Sequence, residues 1–291
     1  RLSNVGLEAV WQEALTAEAS PTDSEVPLYQ GKMPHIRTAW ISDTHLGTKG
    51  CKGEYLANML RSLDCDTLYL VGDIIDGWRL SRSWYWDEHQ TAVLRALLDL
   101  VKQGTKVIYI PGNHDEFLRP YIGITIAGIK IRDELIHTTA DGKRYWVTHG
   151  DRYDAVVLYA KWLAHLGDFA YTGVTQINDW FNQARQRIGY PYWSLSHFLK
   201  HQVKNAVSFV TAYEDQLTRE AKKRQVDGVI CGHIHWAESR VIDGLHYIND
   251  GDWVESCTLL TEDTQGTLKI VNWADLMAKQ WADAEFKPAI K

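Results

Sequence analysis

The segment Cys231–Ser239, CGHIHWAES, places His233 and His235 one residue apart behind a short apolar run, DGVI. In an extended segment, side chains at i and i+2 lie on one side. Two imidazoles on one side of a strand end answer either to hydrogen bonding at a loop mouth or to a shared cation, and the pair alone does not decide. Four more clusters have the same design. SDTH supplies Asp43 and His45, VGDIID supplies Asp73 and Asp76, PGNHDE supplies Asn113, His114 and Asp115, and VTHGD supplies His149 and Asp151. Each polar cluster follows an apolar run, and four of the five have a glycine beside the polar residue, where the backbone must turn tightly.

Those runs are the elements that must position the clusters. IRTAWIS (36–42), DTLYLVG (66–72) and TKVIYIPG (105–112) read as strands. Leu56, Met59, Leu60 and Leu63 fall at helical spacing between the first two. Val93, Leu94, Leu97, Leu98 and Val101 do so between the second and third. This βαβαβ order predicts a sheet with parallel neighbours and covering helices. RYWVTHG, GVICGH, ESRVIDGLHYIND and SCTLLTEDTQGTLKIVNW follow as short strands with turn chemistry at Asp141-Gly142, Asp243-Gly244 and Gln265-Gly266. They predict a second, more antiparallel sheet. A long helical block, about 153–224, interrupts this series, and residues 1–34 read as a weakly patterned extension ending in a linker.

Ligands of open α/β sheets gather at the carboxyl ends of strands, so the five clusters are expected to converge. Carboxylate, imidazole and amide oxygen make a mixed N/O donor set, suited to Mn²⁺, Fe²⁺, Zn²⁺ or Mg²⁺ rather than to a thiolate site. Cys231 is the one nearby sulfur, and it belongs inside a strand. Asp43, His45, Asp73, Asn113, His149, His233 and His235 are too many ligands for one ion and suit two ions sharing a carboxylate. A purely structural reading needs five independent polar strand ends, and buried polar clusters rarely go uncompensated.

The 291 residues suit one large domain or a domain with an insertion, and the net charge of -6 argues against a general nucleic-acid binder. No apolar run is long enough to span a bilayer. The four cysteines have no paired spacing and read as reduced thiols of a cytoplasmic protein.

DTH, GD, GNHDE, THGD and GHIH, in this order over about residues 36–270, resemble the signature of the calcineurin-like metallophosphoesterase family. The resemblance implies a four-layer α/β/β/α sandwich of two mixed sheets over 35–291, interrupted by the helical insertion as a lid. It implies two divalent ions, manganese first among the candidates. Asp43, His45, Asp73 and His235 would hold one ion, and Asp73, Asn113, His149 and His233 the other. A hydroxide bridging the ions would attack phosphorus in line, and His114 would approach the phosphate and the leaving oxygen. Asp76 and Asp115 are expected to orient ligands. Asp151 is either another such residue or a substrate contact.

Substrate must come from elsewhere than the fold. Residues 180–213 contain no Asp or Glu, and His197, Lys200, His201 and Lys204 form one basic helical stripe within them. This stripe reads either as a solvated face or as a phosphate contact. Aromatics including Trp162, Phe169, Trp180 and Trp193 crowd the same block, either as its own core or as an acyl-chain groove or membrane-facing patch. TLYLVGDIIDGW and the position of the lid resemble the UDP-2,3-diacylglucosamine pyrophosphohydrolase branch, which acts in lipid A synthesis. That resemblance implies a nucleotide-diphospho lipid substrate and peripheral contact with the inner membrane. One departure is that the branch carries Arg after the ligand Asn, where this chain has His114 as general phosphoesterases do. The alternatives are a phosphodiesterase or phosphatase on a soluble substrate, and a non-catalytic scaffold, whose mark would be missing ligands.

Overall fold

The computed structural model describes residues 28–153 and 210–285. The insertion's residues 154–209, and with them the basic stripe and the aromatic block, lie outside the described residues. By internal packing, residues 152–219 fall in a separate unit from the rest.

Among the described residues, twelve strands form two mixed sheets. The first has the order β12-β11-β1-β2-β3-β5-β4, with β1 (Ile36–Ile41), β2 (Cys65–Val71), β3 (Lys106–Ile110), β4 (Thr125–Ile126), β5 (Ile129–Ile131), β11 (Thr258–Glu262) and β12 (Leu268–Asn272). The second runs β6-β7-β8-β10-β9, with β6 (Leu135–Thr138), β7 (Arg144–Val147), β8 (Gly228–Cys231), β9 (Glu238–Ile242) and β10 (Leu245–Asn249). Strands β1, β2, β3 and β5 are parallel, as the βαβαβ pattern predicts, and β11 pairs antiparallel with β1. In the second sheet β8 is parallel to both β7 and β10, so it is less antiparallel than its turn chemistry suggested. The β9–β10 hairpin turns at Asp243-Gly244, both with positive φ, as a tight two-residue hairpin requires.

The alternation of side chains explains the layers. Ala39, Ile41, Leu68, Leu70, Val107 and Tyr109 face one core, with α1 (Gly53–Ser62) and α3 (Glu88–Lys102) against it. Trp40, Tyr69, Val71, Ile108 and Ile110 face the other way and meet Tyr145, Val147, Ile230 and Ile248 of the second sheet. A sheet buried on both faces must be apolar on both, which is why these strands read as continuous runs rather than as alternating ones. Between these two helices lies the short α2 (Gly77–Leu80). Helix α4 (210–223) precedes Arg224, whose guanidinium lies 4.1 Å over the ring of Trp146 in β7. Helix α5 (Trp273–Glu285) closes the described chain, its Trp273 indole donating to Asn58. Two mixed sheets flanked by helices make the α/β/β/α sandwich that the resemblance implied. Among the described residues no helix is long and apolar enough to cross a membrane, and all four cysteines are free thiols.

One buried charge ties the sheets together away from the loop ends. Glu262 of β11 is fully buried, and its carboxylate accepts hydrogen bonds from Arg37, Thr38, His137 of β6 and the Ala140 amide. Burial opposes its charge, but the bonds from His137 and Thr38 prevail and hold its pKa down at about 2, against an ordinary 4.5. A carboxylate with a depressed folded-state pKa contributes stability that is full above the ordinary value and is lost as pH falls from there through the folded-state one. The span between those values corresponds to about 3 kcal/mol. Wild type is therefore expected to lose this much unfolding free energy in acid urea titrations relative to Glu262→Gln. Superimposable acid profiles would reject the clamp.

Candidate metal centre

The loops after β1, β2, β3, β7, β8 and β10 meet at one end of the two sheets. Asp43 and His45 leave β1, with His45 N–H bonded to Asp73 O and Asp43 N–H to Gly72 O. Asp43 Oδ1 stands 2.9 Å from His235 Nε2 and 3.9 Å from His45 Nε2, and the two imidazole nitrogens stand 3.2 Å apart. Asp73 Oδ2 stands 3.3 Å from His149 Nε2, and His233 completes a second group with these two. Within each trio the donor atoms lie within 4.8 Å of one another. Ligands about 2.0–2.2 Å from a tetrahedral ion stand roughly 3.3–3.6 Å apart, so the spacing fits a cation at each group.

Other observations fit the same occupant. Asn113 Oδ1 is buried and accepts no hydrogen bond, although such groups are normally satisfied. Asp43 and Asp73 are fully buried, and burial opposes their charge. The imidazole of His235 beside Asp43, and that of His149 beside Asp73, nevertheless hold both carboxyls below the usual carboxylate range. Five of the nine non-glycine residues with positive φ among the described residues are Asp43, His45, Asp73, His233 and His235. Left-handed backbone is uncommon without glycine, and strain of this kind collects at functional sites.

Glycines let these loops close. A Cβ on Gly112 would sit 2.3 Å from Asp73 Oδ1 and 2.7 Å from His149 Nε2, and one on Gly72 would sit 2.3 Å from the His149 ring. At Gly232 it would meet Asp43 Oδ2 at 2.5 Å. Gly72, Gly112 and Gly232, three of the four glycines noted beside the polar clusters, are thus places where backbone touches candidate ligands.

Around these groups stand residues that orient them. Asp76 Oδ2 lies 3.1 Å from His45 Nδ1 and 3.0 Å from His114 Nδ1, and its Oδ1 accepts from Arg79 N–H. His149 Nδ1 donates to Val71 O at 2.7 Å, which turns its Nε2 toward Asp73. Ligand histidines are fixed in this way by their second nitrogen. Asp115 acts on backbone rather than on a ligand side chain. It accepts from Gly112 N–H, Ile74 N–H and Tyr109 O–H, joining the loops after β2 and β3. Burial and the Asp73 charge push its pKa up to about 6. Asp151 pairs with Arg119 at 2.6 Å, and Arg119 also donates to Gly112 O.

His114 lies among these groups and belongs to a third possible trio. Its backbone N–H donates to Asp73 Oδ1, its Nε2 is 4.0 Å from Asp73 Oδ2, and it shares a possible cation group with His45 and Asp73. His197, Lys200, His201 and Lys204 lie outside the described residues. Sequence reasoning missed Ser42, whose hydroxyl lies 2.7 Å from Asp43 Oδ2 and 2.6 Å from Asp250 Oδ1, and missed Asp250 itself, which is fully buried. It also missed Asn249, which donates to Gly232 O. The signal was present in HYINDGD, a sixth polar strand end.

This fold and this cluster of carboxylates and imidazoles define a protein able to hold one or two divalent ions, as a two-metal hydrolase does. A model of the calcineurin-like phosphoesterase family matches residues 36–237, and the chain belongs to that family. No curated protein matches it. Solved structures with similar folds include vacuolar protein sorting 29 from Cryptosporidium parvum, 10% identical, covering 80% of this chain and 94% of that one, with a TM-score of 0.40. A hypothetical protein from Pyrococcus horikoshii OT3 is 9% identical over 88% of this chain and 95% of that one, with a TM-score of 0.43. A novel archaeal phosphodiesterase is 14% identical over 80% and 98%, with a TM-score of 0.38.

Proposed function

We propose that the protein hydrolyses a phosphoester or phosphoanhydride at this centre, with two divalent ions, and that its substrate is UDP-2,3-diacylglucosamine, split into UMP and 2,3-diacylglucosamine 1-phosphate. The observation behind the reaction class is the convergence of the Asp43–His45–His235 and Asp73–His149–His233 groups at one strand-end cluster. Asp43, His45, Asp73 and His235 would hold one ion, and Asp73, Asn113, His149 and His233 the other, manganese being the first to try. Bound there, such ions polarise phosphoryl oxygens and lower the pKa of water. The chain's own part is to hold the ligands through Asp76, Val71 O and Ser42, and to present His114 to the leaving oxygen. His114 would supply a proton there, a task that suits an imidazole near neutral pH.

The lipid substrate rests on the sequence of the insertion. The acid-free 180–213 segment with Lys200 and Lys204 suits a second phosphate, and the surrounding aromatics suit acyl chains. A cytoplasmic enzyme touching the inner membrane peripherally would meet such a substrate. His114 in place of Arg favours a second reading, a phosphodiesterase or phosphatase acting on a soluble substrate.

Two substrates separate the readings. Lys200→Ala with Lys204→Ala is expected to raise KM for the UDP-linked diacyl sugar by roughly 10-fold or more, the scale of a lost charge-assisted contact. Hydrolysis of bis-p-nitrophenyl phosphate should change little. Equal losses on both would assign the lysines to folding. Wild type that releases no UMP but cleaves the aryl diester would leave the soluble-substrate reading.

A further inference from the structure

The DIIDGW segment does more than supply an acid at Asp76. Gly77 N–H donates to His114 O at 2.9 Å, and a Cβ on Gly77 would lie 2.9 Å from that oxygen and 2.7 Å from the Phe117 ring. Only a glycine lets this turn lie flat against the His114 backbone. The next residue, Trp78, then falls on the His114 side chain, with ring centroids 4.4 Å apart and planes tilted by 37°. The indole is itself held, because Nε1–H donates to Glu116 Oε1 at 3.2 Å. On its other sides the imidazole meets the His45 ring edge-on at 4.6 Å and Asp76 Oδ2 at 3.0 Å.

We propose that Trp78 is a positioning residue for His114: packed at a tilt against the imidazole and hydrogen-bonded to Glu116, it holds the ring so that Nε2 faces the leaving oxygen. This rests on the hydrolase reading and on the proton-donor role of His114. In the step concerned, water oxygen bonds to phosphorus and gives up a proton to solvent, and the phosphorus–leaving-oxygen bond breaks with its electron pair on that oxygen. The oxygen takes the proton from His114 Nε2, and the imidazole is reprotonated from solvent. Asp76 Oδ2 stands against one ring nitrogen at 3.0 Å, and the indole packed on the ring at 4.4 Å limits the movement this contact leaves open. Misplacement of a reacting group by about an ångström costs on the order of 10²-fold.

A positioning role predicts dependence on the leaving group. An alkoxide needs the proton and p-nitrophenolate hardly does. Trp78→Ala is expected to lower kcat for a dialkyl phosphodiester by about 10- to 100-fold, with metal content and KM unchanged. On bis-p-nitrophenyl phosphate the loss should stay within a few-fold. Trp78→Phe should restore most of the alkyl-ester rate. In a His114→Ala background, Trp78→Ala should add nothing, since a residue acting through another is silent once that other is gone. A readout without activity is the His114 ring proton resonance of the metal-free protein, identified by its absence in His114→Ala. It should carry an indole ring-current shift that Trp78→Ala abolishes. Equal losses on both esters, a change in KM alone, additive losses in the double mutant, or an unchanged resonance would each overturn the inference while leaving metal-dependent hydrolysis by wild type intact. Wild type that cleaves neither ester with any divalent metal would overturn the hydrolase reading and this inference with it.

Discussion

Asp73→Ala is expected to abolish hydrolysis and to lower the bound metal from two ions per chain to one or none. Asp73 is fully buried, its Oδ2 faces His149 at 3.3 Å and His114 at 4.0 Å, and it belongs to two of the three possible cation groups. Removing residues that only orient ligands typically costs 10–100-fold, so loss of a shared ligand should exceed about 10³-fold. Asp73 Oδ1 also accepts the His114 amide, so the loop after β3 loses an anchor. Elemental analysis of the purified variant, with circular dichroism to check the fold, gives the decision. Two ions retained per folded chain would mean that Asp73 does not bridge, and the ligands would have to be reassigned.

How much of this was legible in the sequence follows from which forces act locally. The parallel strands and α1 and α3 were legible because burial on both sheet faces writes long apolar runs, and a helix on a sheet writes a 3.6-residue period. Strands β4 and β5 were not, since ITIAGIKI pairs only two residues of β4 with β5, and Gly128 makes the turn. Helix α5 was missed because its first residues closed the preceding strand pattern, LKIVNW. The five polar strand ends were legible as a set because carboxyl-end loops gather ligands. The sixth, Asn249-Asp250, was hidden because NDGD reads equally as turn chemistry. Asp115 looked like a ligand orienter from its place beside His114, whereas its bonds go to the Gly112 and Ile74 amides. The Ile74 contact joins segments about forty residues apart, and no local pattern records it.

Backbone strain was the least legible feature. Asp and His in a loop give no hint of positive φ, yet five candidate ligands adopt it. Each such residue costs on the order of 1–3 kcal/mol unless its surroundings hold it there. Here they do: His233 N–H is bound to Asp43 Oδ2, and His45 N–H to Asp73 O. The ligands therefore hold one another's backbones, so the site is expected to fail as a unit rather than residue by residue. This is a reason to measure metal content beside activity in every variant.

His114→Ala tests the division of labour inside that unit. It is expected to keep both ions and to lose about 10²- to 10⁴-fold in kcat on an alkyl phosphodiester, the usual contribution of an acid–base group. The structure leaves His114 two roles to choose from. Its Nδ1 lies 3.0 Å from Asp76 and its ring packs on Trp78, which suits a held proton donor. Yet its ring also lies within ligand reach of His45 and Asp73. Metal analysis separates these roles, because a donor can be removed without loss of an ion and a ligand cannot. The leaving group gives a second separation. If His114 donates a proton, its loss should matter far less for p-nitrophenolate, which departs unaided, than for an alkoxide. A variant that loses an ion assigns His114 to the metal shell. One that keeps both ions and turns over the alkyl ester at the wild-type rate removes it from the reaction, and with it the positioning role of Trp78, while Asp76 would still face His45 Nδ1.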